Sequence, residues 1–285
     1  VYIHFSKLFM PELPEVQAVV DSLNKDNIPG KTIYSILSPN GYESVCHDNS
    51  LSDFQKFLKN KLINSIKRRG KFIIMELNDG YLLFHLRMTG KFLNELNNDT
   101  DQKYVSLQIN FTDKSSLYFK DIRKFGKAYI LKNLKWLENK IGIEPLSKKF
   151  NSNWMFSTFK SYDRMVKPLL LDQKIIAGLG NIYIDEALWH ARIHPKSISS
   201  RITHYKINLL CLSIKNILKD ALKHKGTTII DFRYGKNEKG NYNKQLKVFG
   251  KENQPCKRCN QKIIKIFVCQ RGTHYCNKCQ KIYKI

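Results

Sequence analysis

No stretch of this chain approaches the roughly eighteen consecutive apolar residues that a membrane-spanning helix needs, so no membrane partner is expected. Acidic residues are scarce: 24 Asp and Glu stand against 49 Lys and Arg in 285 residues, a formal charge of +25. A surplus of that size points to a polyanionic partner, nucleic acid first. Part of it is also what an AT-rich genome writes, given the many Lys, Asn and Ile. Cysteine is thinly spread over most of the length. Cys46, Cys211 and Cys269 stand alone, while the other four are paired near the C-terminus. That is a metal pattern and not a disulfide framework, and it suits a reducing cytoplasm. Residues 1–9, VYIHFSKLF, are too short for a secretory signal and lack an A-x-A-like cleavage site. There is no internal repeat, no Ser/His/Asp set and no open metal triad. The length suits two or three modules with a sizeable core.

What is present falls into two patterns. Leu13, Val16, Val19, Val20 and Leu23 recur at helical spacing behind a Pro-Glu-x-Pro-Glu lead. Pro14 suits a first helical turn and Glu15 its positive end, but the lead has no evident packing role. Residues 31–130 then read as strands. FIIMEL-NDG-YLLFHLRM is a hairpin around Asn78-Asp79-Gly80, and YVSLQINF-TDKSS-LYF is a second, with Val105, Leu107 and Ile109 alternating toward a buried face. The expected result is a β-sandwich with the first helix laid against it. From about residue 131 the pattern turns helical, with runs at 133–140, 151–160, 183–190 and 203–224. Pro145 and SKKFNSN mark a boundary. AGLGNIY (177–183) puts glycines before a helix start, a geometry able to offer backbone N–H groups to a phosphate, although such glycines most often serve turns alone. Residues 235–255, polar and rich in Gly and Lys, read as a mobile loop.

Cys256-x2-Cys259, sixteen residues, then Cys276-x2-Cys279 supplies four thiolates in two knuckles. This is the donor set of a closed, structural tetrahedral Zn²⁺ site, with IIKIFVCQRGTHYC between the knuckles as a β-hairpin. Cys269 falls within that hairpin and reads as a packed thiol. SIKRRGKF (65–72), IRKFGK (122–127) and QRGTHY (270–275) interleave basic and aromatic residues with glycine, which suits phosphate contacts and base stacking. Solvated basic turns are the plain alternative for each. His85 and Met88, at the end of a strand, are on their own a structural histidine and a core methionine. Glu12 and Glu15 are the carboxylates that stand out.

In this order, MPELPEV, RRGKF, HLRMTG, DIRKFG, VKPLLLDQ, AGLGNIYIDEALW, IHP, KGTTIIDF, LKVFGKENQPC and CQRGTHYC resemble the bacterial formamidopyrimidine-DNA glycosylases across residues 10–280. The resemblance implies an α+β, multidomain chain. Its parts would be an N-terminal β-sandwich with an N-terminal helix at 10–140, a helix-two-turn-helix domain at 141–245 and a zinc ribbon at 246–285, with one structural Zn²⁺. Residues 1–9 would be a non-native extension ahead of a true start at Met10. The implied activity is excision of oxidised purines from damaged double-stranded DNA with strand cleavage, by a monomer acting in the cytoplasm at the nucleoid.

In that family a free N-terminal proline is the nucleophile, here Pro11. An internal proline nitrogen is an amide with a delocalised lone pair and attacks nothing. The resemblance gives Glu12 the acid/base role, sets Glu15 in support, and makes Lys71, His85, Asn181 and Arg271 phosphate ligands, Lys71 and Arg271 beside the reacting centre. Met88, Arg123 and Phe125 would fill the gap left by a flipped nucleotide. Two departures stand in the wedge loop: Ile122 replaces a common proline, and Lys124 a frequent arginine. The lesion-capping loop, 234–244, is unusually Lys-rich. An endonuclease VIII-type preference for oxidised pyrimidines is the nearest alternative, opposed by Leu13, Met88 and Phe125. A non-catalytic DNA-binding protein on the same fold is the other.

Overall fold

The structure, a computed structural model, describes residues 10–96, 99–227 and 240–284. These fall into two compact units, one of residues up to 137 with the described part of 224–243, the other of 138–223 with 244 onward.

The first unit opens with α1 (Leu13–Lys25), whose apolar stripe is buried throughout. β1 (Ile33–Leu37), α2 (Leu51–Leu58), β2 (Ile63–Arg69), β3 (Phe72–Leu77), β4 (Tyr81–His85), β5 (Gly90–Leu93), α3 (Asp99–Lys103), β6 (Val105–Phe111), β7 (Ser116–Asp121) and β8 (Lys127–Leu131) follow. They build two four-stranded antiparallel sheets, in the orders β1-β6-β7-β5 and β2-β3-β4-β8. Both sheets feed one core, the inner layer of a sandwich. Phe84 of one sheet meets Phe92 and Phe119 of the other at ring distances of 4.9 and 5.1 Å, a geometry in which aromatic pairs attract beyond their buried area. Within the stretch read as all strands, α2 and α3 are helical. The reason for α2 is local: Ser50 and Asp53 form a reciprocal capping box, and Phe54 and Leu58, four apart, bury one face.

The second unit carries most of the helices. α4 (Lys135–Lys140) leads into it, followed by α5 (Ser152–Lys160), α6 (Val166–Leu171), α7 (Asn181–Ala191) and α8 (His204–Lys223), then the hairpin β9 (Ile264–Val268) and β10 (Arg271–Tyr275). Asn151 starts α5 by accepting Trp154 N–H at 2.9 Å. α7 is buried nearly all round and is the helix on which this unit packs. Two expectations need correction. Cys269 is exposed, because it sits in the β9–β10 turn with Gln270, both at positive φ. The described part of 235–255 is not a loose loop. Tyr242, Leu246, Val248 and Phe249 are buried, and Glu186 on α7 accepts the N–H groups of Lys247, Val248 and Phe249 at 2.8–2.9 Å. Burial pushes the pKa of Glu186 up, and those three bonds pull it back. No helix among the described residues is long and apolar enough to cross a membrane.

His194 follows α7 and stacks edge-on against Tyr275 at 4.5 Å, its Nδ1 accepting Lys196 N–H at 3.1 Å. Burial, with Lys196 and Lys284 adding to it, pushes His194 down to about 4. An unfolded histidine titrates near 6.5, so between there and about 4 the unfolded chain binds the extra proton. The stability from neutral His194 is therefore complete above pH 6.5 and is lost as pH falls toward 4. Urea unfolding across that window should show this slope, and His194→Gln should flatten it; an unchanged slope would contradict the assignment.

Candidate nucleic-acid interface and metal centre

In the first unit, the Pro-Glu-x-Pro-Glu lead caps α1. Pro11 and Glu12 are buried. The Glu12 carboxylate caps the N–H of Glu15, and Glu15 Oε2 accepts the N–H of Glu12 at 2.9 Å. Two acids thus satisfy donors at the positive end of one helix. Glu15 also holds a segment far along the chain, its Oε1 accepting Thr227 N–H at 2.7 Å. Gly226 permits that approach, for it has φ +79° and a Cβ there would stand 2.6 Å from Glu15 Oε1. The chain just before residue 228 is therefore tied to the head of α1.

Lys71 lies in the tight β2–β3 turn beside Gly70, mostly buried. One residue on, Phe72 pairs with His85 across β3–β4, their rings edge-on at 4.9 Å. Lys71, one residue before β3, and His85, the last residue of β4, are thus set at the same end of two paired strands. Nδ1 of His85 accepts Arg87 N–H at 3.1 Å, which places the neutral ring's proton on Nε2.

Met88, Arg123 and Phe125 also come together in part. Arg123 Nη1 lies 3.1 Å from Met88 Sδ, and Phe125 is 54% exposed on the same loop as Arg123. Ile122, 51% exposed, adds a second apolar side chain. Loop 122–126 is held from beneath by the buried Asp121. That carboxylate accepts from the Thr89 hydroxyl, from Arg123 N–H at 3.2 Å and from Gly126 N–H at 2.6 Å. Lys124, at φ +59°, lays its ammonium over the Tyr42 ring at 3.4 Å. Large apolar tips on a loop fixed this firmly suit insertion into another molecule.

In the second unit, Asn181 is the first residue of α7 after Gly180, and its Nδ2 donates to Gly272 O at 2.9 Å. Its buried Oδ1 has no partner among the described residues. Arg271 is exposed at the start of β10, directly before Gly272, so Asn181 and Arg271 are neighbours. What joins them is Lys167, fully buried on α6. Its Nζ donates to Asp185 Oδ1 at 2.6 Å, Thr273 Oγ1 at 2.8 Å and Gly272 O at 3.3 Å. The other oxygen of Asp185 accepts His274 N–H at 2.8 Å. Sequence reasoning passed over Lys167 and Asp185. The available signal was charge inside two apolar runs, one lysine in VKPLLL and two acids in IYIDEALW.

Cys256, Cys259, Cys276 and Cys279 place their sulfurs within 4.8 Å of one another, with pairs at 3.9 and 3.5 Å. A tetrahedral thiolate site with bonds of about 2.3 Å has edges of roughly 3.8 Å, so the four fit one divalent cation. Burial, then the neighbouring thiols, pushes Cys279 up to about 12. Against burial, backbone N–H groups and Trp189 hold Cys256 down to about 6, and four thiolates this close together need a positive ion to coexist. Trp189 Nε1 donates to Cys256 Sγ at 3.4 Å, seating the first knuckle on α7.

Residues 10–128 match the formamidopyrimidine-DNA glycosylase N-terminal domain, and residues 141–233 match the formamidopyrimidine-DNA glycosylase H2TH domain. The chain is 37% identical to the formamidopyrimidine-DNA glycosylase of Pelotomaculum thermopropionicum over 281 residues, covering 96% of this chain and all of that one. The enzyme of Bacillus licheniformis is also 37% identical, over 95% of this chain and all of its own. Among solved structures, a Lactococcus lactis Fpg variant in complex with Fapy-dG DNA superposes with a TM-score of 0.87 at 36% identity, over 95% of this chain and all of that one. Wild-type L. lactis Fpg with DNA containing an oxidised pyrimidine gives 0.85 at the same identity and coverage. Paired antiparallel sheets, an H2TH helical domain and a four-cysteine ribbon define the class. The chain belongs to the formamidopyrimidine-DNA glycosylase family.

Asp121→Asn replaces an acceptor by an amide whose NH₂ must face either Gly126 N–H or Arg123 N–H, donor against donor. Leaving one buried donor unmet costs about 1–3 kcal/mol. Urea unfolding of the variant should register that loss, and Thr89→Val should register less. Wild-type stability in Asp121→Asn would remove Asp121 as the loop's anchor.

Proposed function

We propose that this chain is a bifunctional DNA glycosylase and AP lyase that removes oxidised purines, 8-oxoguanine and formamidopyrimidines, from duplex DNA in base excision repair. The observation that carries the reading is Pro11, buried beside a carboxylate pair at the head of α1, in a chain of this family. The relatives' names and the Fapy-dG complexes support it. The active form begins at Pro11, whose secondary amine attacks C1′ of the damaged nucleotide. The N–C1′ bond forms as the glycosidic bond breaks, and the amine's proton leaves with the departing base. Glu12 protonates the sugar ring oxygen as the ring opens. The resulting iminium has no N–H to lose and stays cationic, so it draws electrons from the 2′ carbon. Loss of a 2′ proton expels the 3′ phosphate, and a second elimination expels the 5′ phosphate.

Lys71, His85, Asn181 and Arg271 hold phosphates. The Nδ1 bond that fixes the His85 tautomer and the nearness of Asn181 to Arg271 support that reading. Met88, Arg123 and Phe125 fill the stack behind the flipped nucleotide, offsetting part of the few kcal/mol that flipping costs. Glu15 positions Glu12 and the 226–227 turn. The 234–244 loop, whose residues 234–239 lie outside the described ones, caps the lesion. The cation of the ribbon is Zn²⁺, which fixes four thiolates and leaves no open position for chemistry. The enzyme works as a monomer, in the cytoplasm at the nucleoid. Oxidised pyrimidines are a second substrate class, favoured by one observation: wild-type L. lactis Fpg is found on DNA carrying one.

Two forms of the chain test the chemistry, one starting at Pro11 and one keeping residues 1–10. Borohydride should trap the short form on an 8-oxoguanine duplex through Pro11 and leave the long form free. Glu12→Gln in the short form should excise roughly 10²–10⁴-fold more slowly. Equal trapping of both forms, or a short-form cross-link mapped to Lys71, would contradict the proline mechanism.

The metal has its own test. Cys276→Ser should release zinc and abolish binding of damaged duplex, while the sheets of the first unit stay folded by circular dichroism. Full affinity in the zinc-free variant would show that the ribbon does not grip DNA.

A further inference from the structure

α7 ends at Ala191, and cations gather on its last carbonyls. Arg258, inside the first cysteine knuckle, lays its guanidinium over the Trp189 ring at 3.7 Å and donates from Nη1 to Trp189 O at 2.9 Å. Lys206, in the first turn of α8, donates to Ala191 O at 3.2 Å. Arg192 follows the helix in a left-handed conformation, φ 59°, with its side chain exposed. Lys281 adjoins it: its N–H donates to Arg192 O at 3.2 Å, and Ile193 and Lys281 form a parallel bridge.

A helix C-terminus carries about half a negative elementary charge; these four groups bring four positive ones. Among the described residues none of the four is paired with a carboxylate. Lys206 feels the excess, for burial first and then Arg192, Arg258 and Lys281 hold its pKa below the ordinary lysine range. The helix end and, beside Arg258, the four thiolates of the ribbon, whose net charge with one divalent cation is −2, offset part of the cluster; the exposed Arg192 and Lys281 have no carboxylate partner among the described residues.

We propose that Arg192, Lys206, Arg258 and Lys281 form a phosphate-binding site, occupied by the phosphodiester backbone of a second, undamaged nucleic-acid segment. Guanidinium forks and ammonium point charges together suit phosphate oxygens. The site is about 15 Å from Asn181, at 1.5 Å per residue along α7, so it is separate from the phosphates assigned to Asn181 and Arg271. Held there, a neighbouring stretch of DNA would stay close for transfer from one segment to the next. Free phosphate compounds share the chemistry and must be told apart.

The experiment uses the full chain saturated with a duplex bearing a non-cleavable abasic analogue and one fluorophore. An undamaged duplex with a second fluorophore is then titrated at several salt concentrations, and its anisotropy is read. The test variant is Arg192→Asn with Lys281→Ala; Asn tolerates the left-handed backbone. The control, Lys148→Ala with Lys149→Ala, removes equal charge at exposed positions of the same unit. Wild type and control should bind the second duplex. The test variant should bind it roughly tenfold or more weakly, with a salt slope smaller by about two ions. Inorganic tripolyphosphate is titrated in parallel by calorimetry. Tripolyphosphate binding with no second-duplex binding would overturn the nucleic-acid occupant. Equal second-duplex binding by wild type and test variant, or an equal loss in the control, would overturn the site. Saturation by the first duplex is read on its own fluorophore, so a failure of damaged-DNA binding appears there and not in the second titration.

Discussion

Lys167 and Asp185 meet at 2.6 Å with no solvent exposure on either side chain, and the arrangement of the second unit depends on them. Removing two charges from water is expensive, and their attraction offsets it only when every remaining donor and acceptor is used. Here they are used on one target. Lys167 reaches Gly272 O and Thr273 Oγ1, and Asp185 takes His274 N–H. Successive residues of β10 are thereby docked against α7, which sets Arg271 beside Asn181. An apolar pair could fill the same volume, but it would have no reason to hold one register of that strand.

The same device recurs wherever a loop must be held. In a chain with only 24 acids and a charge of +25, several carboxylates are spent on backbone N–H groups. Glu15 takes the N–H of Glu12 and of Thr227, Asp121 takes those of Arg123 and Gly126, and Glu186 takes those of Lys247, Val248 and Phe249. Each bond is charge-assisted and directional. The basic surface is left for a polyanion while the buried acids shape the segments that present it.

Legibility in the sequence followed the range of the interactions. The α1 stripe, the hairpin at Asn78-Asp79-Gly80 and the four paired cysteines are local patterns and could be read directly. α6 could not, because six residues containing Lys167 and Pro168 carry too little periodicity. The start of α2 had a readable signal in Ser50 and Asp53, overlooked inside a strand-rich stretch. Residues 247–249 lie in a stretch with a loop's composition and are ordered from outside by Glu186. Glu15 and Thr227 are 212 positions apart, a distance over which no pattern in a single chain announces a contact. Residue types could nominate Asn181 and Arg271, but only Lys167 and Asp185, hidden in apolar runs, explain why they are neighbours.

Amide hydrogen exchange tests the dependence on that buried pair most directly. In Lys167→Met, which leaves Asp185 unpaired, the amides of Thr273 and His274 should exchange faster, with a destabilisation of about 3–5 kcal/mol. Lys167→Met combined with Asp185→Leu should recover much of that stability while the same amides stay faster than in wild type, because no group is left to fix the strand. Wild-type exchange at Thr273 and His274 in both variants would contradict the account.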